Sequence, residues 1–281
     1  MSVELTPIIS LFLVLCTLFI VLYYVHSRTV NNQTAINKME HYLNYKSNTV
    51  TLTDETLSPL RISVGLKFTI YHYLNTIIET IYPIKIVHNN GSSYQNIEDV
   101  LSGKSDVAIC QLDAAINAHQ GNPPFQTPNP EIRFITSVFT EKITLLVRTH
   151  SSIYSWTDLK NKKICAGNTK MGSYHNFKDL LHLAGLSNEE VTIIKGDVFS
   201  PKILKKFERG EIDALYMTDV HPNADIYELY HRVRFRIIGS KGLNINLLKI
   251  RYPNIIKTTI SLINYNIKEN SRLFLDTYGI P

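Results

Sequence analysis

Residues 162–217 read KKICAGNTKMGSYHNFKDLLHLAGLSNEEVTIIKGDVFSPKILKKFERGEIDALYM and decide the predicted fold. Three short apolar stretches, KKICAG, VTIIK and IDALYM, alternate with two amphipathic stretches that end at Gly185 and Gly210. Pro201 stands in the first turn of the second amphipathic stretch, a position where a helix tolerates proline. The pattern predicts the order β-α-β-α-β, which is typical of a parallel sheet covered by helices on both faces.

The same order occurs earlier in the chain, in residues 61–110. RISVG, IKIVH and DVAIC are strand-like, and between them lie YHYLNTIIETI and SYQNIEDVLSG, which have helical spacing. Two further strand-like stretches, IRFITSV and ITLLVRT, connect the two units within residues 132–148. We therefore predict an α/β protein of two lobes, each a β-α-β-α-β parallel sheet covered by helices.

A short motif repeats at the same point of each unit. SGKSDVAI, which begins at residue 102, and RGEIDALY, which begins at residue 209, both contain Gly-x-x-Asp between the second helix and the third strand. Glycine ends a helix without a Cβ penalty, and aspartate favours the turn that follows. We expect an architectural role for Gly103, Asp106, Gly210 and Asp213.

Composition and motifs argue against several functions. The 281 residues carry a formal net charge of +5, without a run of five or more basic residues, so a dedicated nucleic-acid binder is not indicated. Three cysteines are too few for a disulfide framework, and no Cys-x-x-Cys or His-x-x-x-His pair suggests a metal. Gly-x-Ser-x-Gly, a Walker loop and His-Glu-x-x-His are all absent. We expect no enzyme activity, cofactor or metal.

The amino-terminal region has a different composition. Residues 5–25 carry no charge, and IISLFLVLCTLFIVLYYV is long enough for one helical membrane span. Glu4 precedes the run and Tyr23 and Tyr24 lie at its end, which favours an uncleaved anchor over a signal peptide. We therefore expect a single-pass membrane protein. The positive-inside rule, applied to Arg28, would place the following domain in the cytoplasm.

The loops that follow the strands are the candidate ligand site. Ligands of open α/β sheets bind beyond the carboxyl ends of the strands, where helix N-termini attract anions. The serines could equally cap their helices, and lone loop lysines are usually solvated. The candidate ligand-binding residues are Gly65, Lys67, Thr69, Gly91, Ser92, Ser93, Asn96, Gln111, Asp113, Gly167, Asn168, Gly172, Ser173, Tyr174 and Thr218.

Three segments carry a resemblance to a known family. They are GSSYQNIEDVLSGKSDVAICQLDAA, ITLLVRTHSSIYSWTDLKNKKICAGNTKMGSYHNFKDLLHLAGL and ERGEIDALYMTDVHPNADIYEL. In this order they resemble the solute receptors of tripartite (TRAP) transporters of the TAXI family, from about Arg61 to Leu229. The resemblance implies a type II periplasmic-binding-protein fold, with an extracytoplasmic domain that closes on a small anionic metabolite, an amino acid or organic acid. It also implies a membrane permease as a possible partner.

By this resemblance the turn 91–96 and the loop 167–174 would face a cleft between the lobes. The alternative is a binding fold that has lost its solute and acts as a membrane-tethered structural or interaction module. The glycine-poor first loop, GLKFTIYHY, and the short carboxyl end favour that alternative. The expected organisation is an anchor at 1–28, a polar stalk at 29–58, lobe 1 at 59–135, hinge strands and lobe 2 at 136–238, and a return segment at 239–281.

Overall fold

The computed structural model describes residues 59–66, 70–79, 84–89, 91–267 and 273–281. For Tyr73 and Ile77 it describes the backbone but not the side chain. The described residues from Leu60 onward belong to one unit of contacts. The predicted anchor and stalk, and the candidate residues Lys67 and Thr69, lie outside the described residues.

Lobe 1 is a small parallel sheet with three helices. Its strands stand in the order β2-β1-β3, and β1 pairs in parallel with both neighbours. The predicted β-α-β-α-β order is therefore present here, followed by one more helix. The elements are β1 (Leu60–Gly65), α1 (Ile70–Glu79), β2 (Ile84–His88), α2 (Ser93–Leu101), β3 (Val107–Ala108) and α3 (Leu112–Gln120).

Lobe 2 contains the larger sheet. Its elements are β4 (Glu141–Arg148), β5 (Lys163–Cys165), α4 (Gly172–Leu183), β6 (Thr192–Ile194), α5 (Pro201–Glu208), β7 (Ala214–Asp219), α6 (Ala224–Arg232), β8 (Phe235–Ile238), α7 (Ile245–Arg251), β9 (Ile256–Ser261) and β10 (Phe274–Ile280). Short 3-10 helices cover Trp156–Leu159, Asn188–Glu190 and Ile263–Tyr265.

The sheet of lobe 2 is mixed, which corrects the prediction of a parallel sheet. The strands follow the order β6-β5-β7-β4-β10-β9, and β8 also pairs with β4. Strand β5 is parallel to β6 and β7, whereas β4 is antiparallel to β7, β8 and β10. The parallel unit β5-α4-β6-α5-β7 is thus extended by antiparallel strands. One of them, β4, precedes the unit in the sequence, and the others, β8, β9 and β10, follow it.

The stretch IRFITSV, predicted as a strand, forms no ladder. Residues 132–138 have no regular structure, and the Phe134 side chain is 65% exposed. Alternating apolar residues favour a strand, but a strand also needs a neighbour for its backbone hydrogen bonds. The stretch is therefore an extended connection between the lobes.

Each face of the lobe 2 sheet has its own apolar core. Leu145 packs with Trp156 and Phe177 on one face, and Leu146 packs with Phe207 and Phe235 on the other. Adjacent residues of one strand point to opposite faces, so β4 contributes to both cores. Lobe 1 has a smaller cluster around Tyr94 and Ile97.

The Gly-x-x-Asp motif has the expected architectural role. Gly103 and Gly210 both have a left-handed backbone, with φ of 71° and 78°. The Asp106 carboxylate accepts the Arg61 N–H at 2.9 Å, and the Asp106 N–H donates to the Arg61 carbonyl at 2.8 Å. Asp213 makes the same pair of bonds with Lys163, both at 2.8 Å. In each lobe the aspartate therefore holds the start of the neighbouring parallel strand.

The predicted membrane localisation needs correction. Across the part of the chain that the structure describes, no helix combines the length and the apolar character that crossing a bilayer requires. The prediction of a single-pass membrane protein is therefore not kept. Its proposed anchor, residues 5–25, lies outside the described part.

Candidate functional site

The first turn of α2 lies against the loop that precedes α4. The N–H groups of Ser92 and Gln95 both donate to the Lys170 carbonyl, at 3.2 and 3.3 Å. A Cβ atom added to Gly91 would lie only 2.7 Å from Lys170 Cβ. Backbone donors at a helix N-terminus have no partner within the helix. Here the Lys170 carbonyl of lobe 2 accepts hydrogen bonds from two of these donors, so the turn and the loop are in direct contact.

A second contact brings Ser93, Gln111 and Gly172 together. The Gln111 N–H donates to Ser93 Oγ at 3.0 Å, and the Gln111 side chain reaches across to lobe 2. A Cβ atom added to Gly172 would overlap Gln111 Oε1. Glycine at position 172 therefore lets the start of α4 approach α3 closely.

The buried acid Glu141 lies at the end of this contact. Its side chain is at the start of β4, the residue is 6% exposed, and Gln111 Nε2 donates to Glu141 Oε2 at 2.5 Å. The Tyr71 hydroxyl is a second hydrogen-bond donor to this carboxyl. Burial, together with the charge of Asp219, raises the pKa of Glu141 to about 8, so the carboxyl is mainly protonated at pH 7.

A second acid, Asp113, joins the first turn of α3 to lobe 2. Asn176 Nδ2 donates to Asp113 Oδ2 at 2.8 Å, and Thr218 Oγ1 donates to Asn176 Oδ1 at 3.2 Å. Asp113 Oδ1 is buried without a hydrogen-bond partner, as is Gln111 Oε1. Burial raises the pKa of Asp113 to about 6. We call Ser93, Gln111, Asp113, Glu141, Gly172 and Asn176 the lobe interface.

Aromatic and charged groups close one side of the lobe interface. The rings of Tyr94 and His175 are 4.1 Å apart between centroids. Arg251 forms an ion pair with Asp179 at 2.7 Å, and the Tyr252 hydroxyl donates to the same carboxylate at 2.9 Å. The positive charge of Arg251 is thus already paired with an acid of lobe 2.

The structure divides the candidate residues into two groups. Those that meet between the lobes are Gly91, Ser92, Ser93, Gln111, Asp113 and Gly172. Thr218 contacts this group only through Asn176 of its own lobe. Asn96 is fully buried inside lobe 1, where its amide donates to the Ile109 carbonyl at 2.7 Å. Gly65, Gly167, Asn168, Ser173 and Tyr174 make local contacts within their loops or beside them.

Sequence reasoning missed Glu141 and Asn176. Glu141 precedes the apolar run of β4 in TEKITLLV, and a charged residue directly before an internal strand is a signal that could have found it. Asn176 lies in the second turn of α4, on the face that contacts Asp113 and Thr218. Among the described residues no cluster of three or more His, Cys, Asp or Glu side chains is arranged for a metal ion.

Comparison with known proteins identifies the family. A family model described as the NMT1-like family matches residues 63–271, well over half of the chain. The chain belongs to the NMT1-like family. The family match covers both lobes, including every residue of the lobe interface.

Solved structures similar to this NMT1-like protein include proteins described as binding small molecules. The alkanesulfonate-binding protein SsuA from Xanthomonas axonopodis pv. citri, bound to MOPS, is 16% identical, with 66% of this chain and 61% of that chain covered and a TM-score of 0.43. An ancestral arginine-binding protein bound to arginine is 19% identical, with 69% and 89% covered and a TM-score of 0.47. A periplasmic binding protein from Brucella ovis with glutathione bound is 12% identical, with 66% and 59% covered and a TM-score of 0.41.

These similarities concern the fold alone. The chain spans about three fifths of the length of the SsuA proteins it matches. The described elements confirm the expected α/β fold, with a mixed rather than a parallel sheet in lobe 2. The finer expectation of a type II periplasmic-binding-protein fold stays a prediction.

Proposed function

We propose that this protein binds a small solute between its two lobes. The main support is the pair of buried oxygen atoms at the lobe interface, Gln111 Oε1 and Asp113 Oδ1, that have no hydrogen-bond partner. Most buried polar atoms in folded proteins have a partner, because an unsatisfied one costs about 1–3 kcal/mol. A solute that donates hydrogen bonds to both atoms would remove this cost.

The lobes would close on the solute by a rigid-body movement. The contacts that such a movement makes and breaks include hydrogen bonds and one ring contact. The hydrogen bonds are those to the Lys170 carbonyl, Gln111 and Tyr71 with Glu141, Asp113 with Asn176, and Leu112 with the Pro281 carbonyl, and the ring contact is that of Tyr94 with His175. A solute shifts the equilibrium between open and closed forms only by its differential affinity for them. A binding site shared between Asp113 of lobe 1 and Glu141 of lobe 2 would provide this difference.

The finer proposals rest on the resemblance in sequence. The quoted segments support a receptor of the TAXI type, a ligand that is an amino acid or organic acid, and delivery of this ligand to a membrane permease. A receptor of this kind binds without chemical change, so the protein would not be an enzyme.

Native mass spectrometry of the gently purified full chain tests solute binding. We expect a second species, heavier by the mass of one small molecule, that loses this mass on collisional activation. Protein mass alone in independent preparations, and still alone after incubation with a broad panel of amino and organic acids, would contradict the proposal.

One observation favours a second function, that of a structural or interaction module without a solute. The Lys170 carbonyl already occupies the N-terminus of α2, and the Gln111 side chain already lies against Gly172. If the protein's own groups fill the lobe interface permanently, the same mass spectrum would show no adduct. The two functions therefore give opposite results in one experiment.

A further inference from the structure

We propose that the solute carries a positively charged amino group, which binds among Glu141, Gln111 and Asp113. This inference rests on the proposed solute binding and narrows its ligand class. An amino acid or another amine fits the site, and an organic acid without an amine does not.

The lobe interface carries more hydrogen-bond acceptors than donors can satisfy. Glu141 and Gln111 are 6% and 3% exposed, and the donors to the Glu141 carboxyl among the described residues, the Gln111 amide and the Tyr71 hydroxyl, are neutral. The Asp113 carboxyl receives hydrogen bonds from the Asn176 amide and the Ala114 N–H, which are neutral too. Buried carboxyl groups are ordinarily paired with a positive charge or held neutral. Burial holds Glu141 mainly neutral in the protein alone, and an ammonium group bound beside it would lower the pKa of this carboxyl and let it ionise.

Two basic side chains among the described residues lie near these acids and have their direct partners elsewhere. Lys142 Nζ donates to the Thr259 carbonyl at 2.9 Å, although Lys142 follows Glu141 directly in the chain. Arg251 pairs with Asp179 at 2.7 Å. Within the described ranges, the ion pairs of the protein include neither Glu141 nor Asp113. No basic side chain of the described residues forms an ion pair with either acid, although the charge of Arg251 partly offsets the raised pKa of Asp113. An ammonium group of the solute would supply such a partner.

The unpartnered atoms of the lobe interface have the chemistry that an ammonium group needs. Gln111 Oε1 belongs to a residue that is 3% exposed, and Asp113 Oδ1 is buried too. Both atoms accept hydrogen bonds. An ammonium group donates three hydrogen bonds and accepts none, and its bonds to carboxylates are stronger than those between neutral groups.

Other ligand classes match the site less well. A metal ion is disfavoured, because the acids of the described residues are not arranged as a metal-binding cluster. A solute with only anionic groups would meet acceptors at the lobe interface, while the backbone donors of α2 are bonded to the Lys170 carbonyl. Its charge would be repelled by Glu141 and Asp113 whenever these are ionised.

Matched pairs of small molecules test the charge requirement directly. The full chain is titrated by calorimetry with L-glutamate against glutarate, L-lysine against hexanoate, and putrescine against 1,4-butanediol, where each pair differs by its amino groups. We expect at least one amine to bind, and to bind roughly tenfold or more tightly than its partner, since a hydrogen bond to a charged group contributes about 1.5–3 kcal/mol.

The outcomes separate this inference from the proposed function. If the partners without amines bind as tightly as the amines or more tightly, the inference is wrong and solute binding stands. If no member binds but native mass spectra show a small-molecule adduct that lacks an amine, the inference is again wrong. If no member binds and no adduct appears, solute binding itself fails, and the inference fails with it.

Glu141→Gln, with Glu211→Gln as the matched control, tests the residue. Glutamine keeps the shape and can accept the bond from Gln111, so we expect a folded variant that binds the amine at least tenfold more weakly. Binding of the partner without an amine should stay equal or improve, whereas a merely structural role would weaken both. Glu211 is exposed and makes only a surface ion pair with Arg209 at 3.8 Å, so its variant should bind like the parent.

Asp113→Asn serves as a second variant in case Glu141→Gln does not fold. Asparagine can still accept the bond from Asn176 but lacks the negative charge, and we expect a smaller loss of affinity for the amine. If Glu141→Gln and Asp113→Asn, or whichever of the two folds, bind the amine as tightly as the parent does, the inference is overturned.

Discussion

Glu141 gives the folded protein an unusual response to pH. Burial, then the charge of Asp219, raises the pKa of this carboxyl from its ordinary value of 4.5 to about 8. Between these values the folded state binds more protons at Glu141 than the unfolded state does. The stability of the folded protein therefore falls as the pH rises through this window.

The substitution Glu141→Gln should remove this part of the pH dependence. In the parent, Glu141 lowers the free energy of unfolding by up to about 1.4 kcal/mol for each pH unit. We expect a shallower decline in the variant, measured by urea unfolding between pH 6.5 and 8. Burial lowers the pKa of His221 from 6.5 to about 3, so near pH 6.5 His221 makes stability rise with pH, and the parent and the variant share this contribution.

The control for this measurement is Glu211→Gln, which removes an exposed acid of the same type. The free energy of unfolding of Glu211→Gln should decline with pH as steeply as that of the parent. Equal slopes for the parent and Glu141→Gln would show that Glu141 ionises normally in the folded protein. Burial also raises the pKa of Asp219, to about 7. Asp219 therefore adds a decline of stability with pH that the parent and the variant share.

The sequence predicted Gln111 and Asp113 as site residues but not Glu141, and strand direction explains the difference. Gln111 and Asp113 come shortly after a parallel strand, where a ligand site is expected. Glu141 begins a strand instead. Because β4 is antiparallel to β7, with Lys142 opposite Asp219, the start of β4 lies at the same edge as the end of β7. Strand direction depends on pairing, which one strand's sequence does not contain.

At the scale of elements, the contact between α2 and the loop before α4 depends on one asparagine. Asn168 Oδ1 accepts the Lys170 N–H at 2.9 Å, and the Asn168 carbonyl accepts the Met171 N–H at 2.9 Å. These bonds orient the Lys170 carbonyl toward the N–H groups of Ser92 and Gln95. Asparagine side chains commonly form such local turns.

We expect Asn168→Ala to weaken this contact. The free energy of unfolding should fall by about 1 kcal/mol, and the amides of Ser92 and Gln95 should exchange with solvent faster. Urea unfolding and hydrogen exchange measure the two effects. Exchange at these amides that matches the parent would contradict the expected role of Asn168.

Lys170→Ala is the matched control, because Lys170 contributes its carbonyl to the contact and its side chain is exposed. A surface substitution of this kind usually changes stability by less than about 0.5 kcal/mol. If Lys170→Ala costs as much as Asn168→Ala, the contact depends on the lysine side chain rather than on the backbone.

Local patterns predicted some elements correctly and others wrongly. The role of the Gly-x-x-Asp motif was predicted correctly because the aspartate of the motif itself bonds to the adjacent strand. The stretch IRFITSV was predicted wrongly because its alternation resembles a strand, while no neighbouring strand pairs with it among the described residues. Helix caps and turns are local, whereas a strand is defined by its partner.

At the scale of the whole molecule, the sequence predicted two α/β lobes but not how closely they meet. The order of strands and helices follows from periodicity along the chain. The approach of α4 to α3 depends on Gly172, Gln111 and Glu141, which are far apart in sequence. The sequence predicted Gln111 and Gly172 as site residues, but it did not predict their contact with each other or the part of Glu141.

Hydrogen exchange of the full chain tests solute binding between the lobes most directly. The exchange rates are compared with and without one solute, the amino or organic acid that raises the melting temperature of the protein most. We expect slower exchange in both 91–96 and 167–176, which belong to different lobes, and little change on the far side of each sheet. Slower exchange confined to one lobe, or no change at either segment, would contradict a binding site between the lobes.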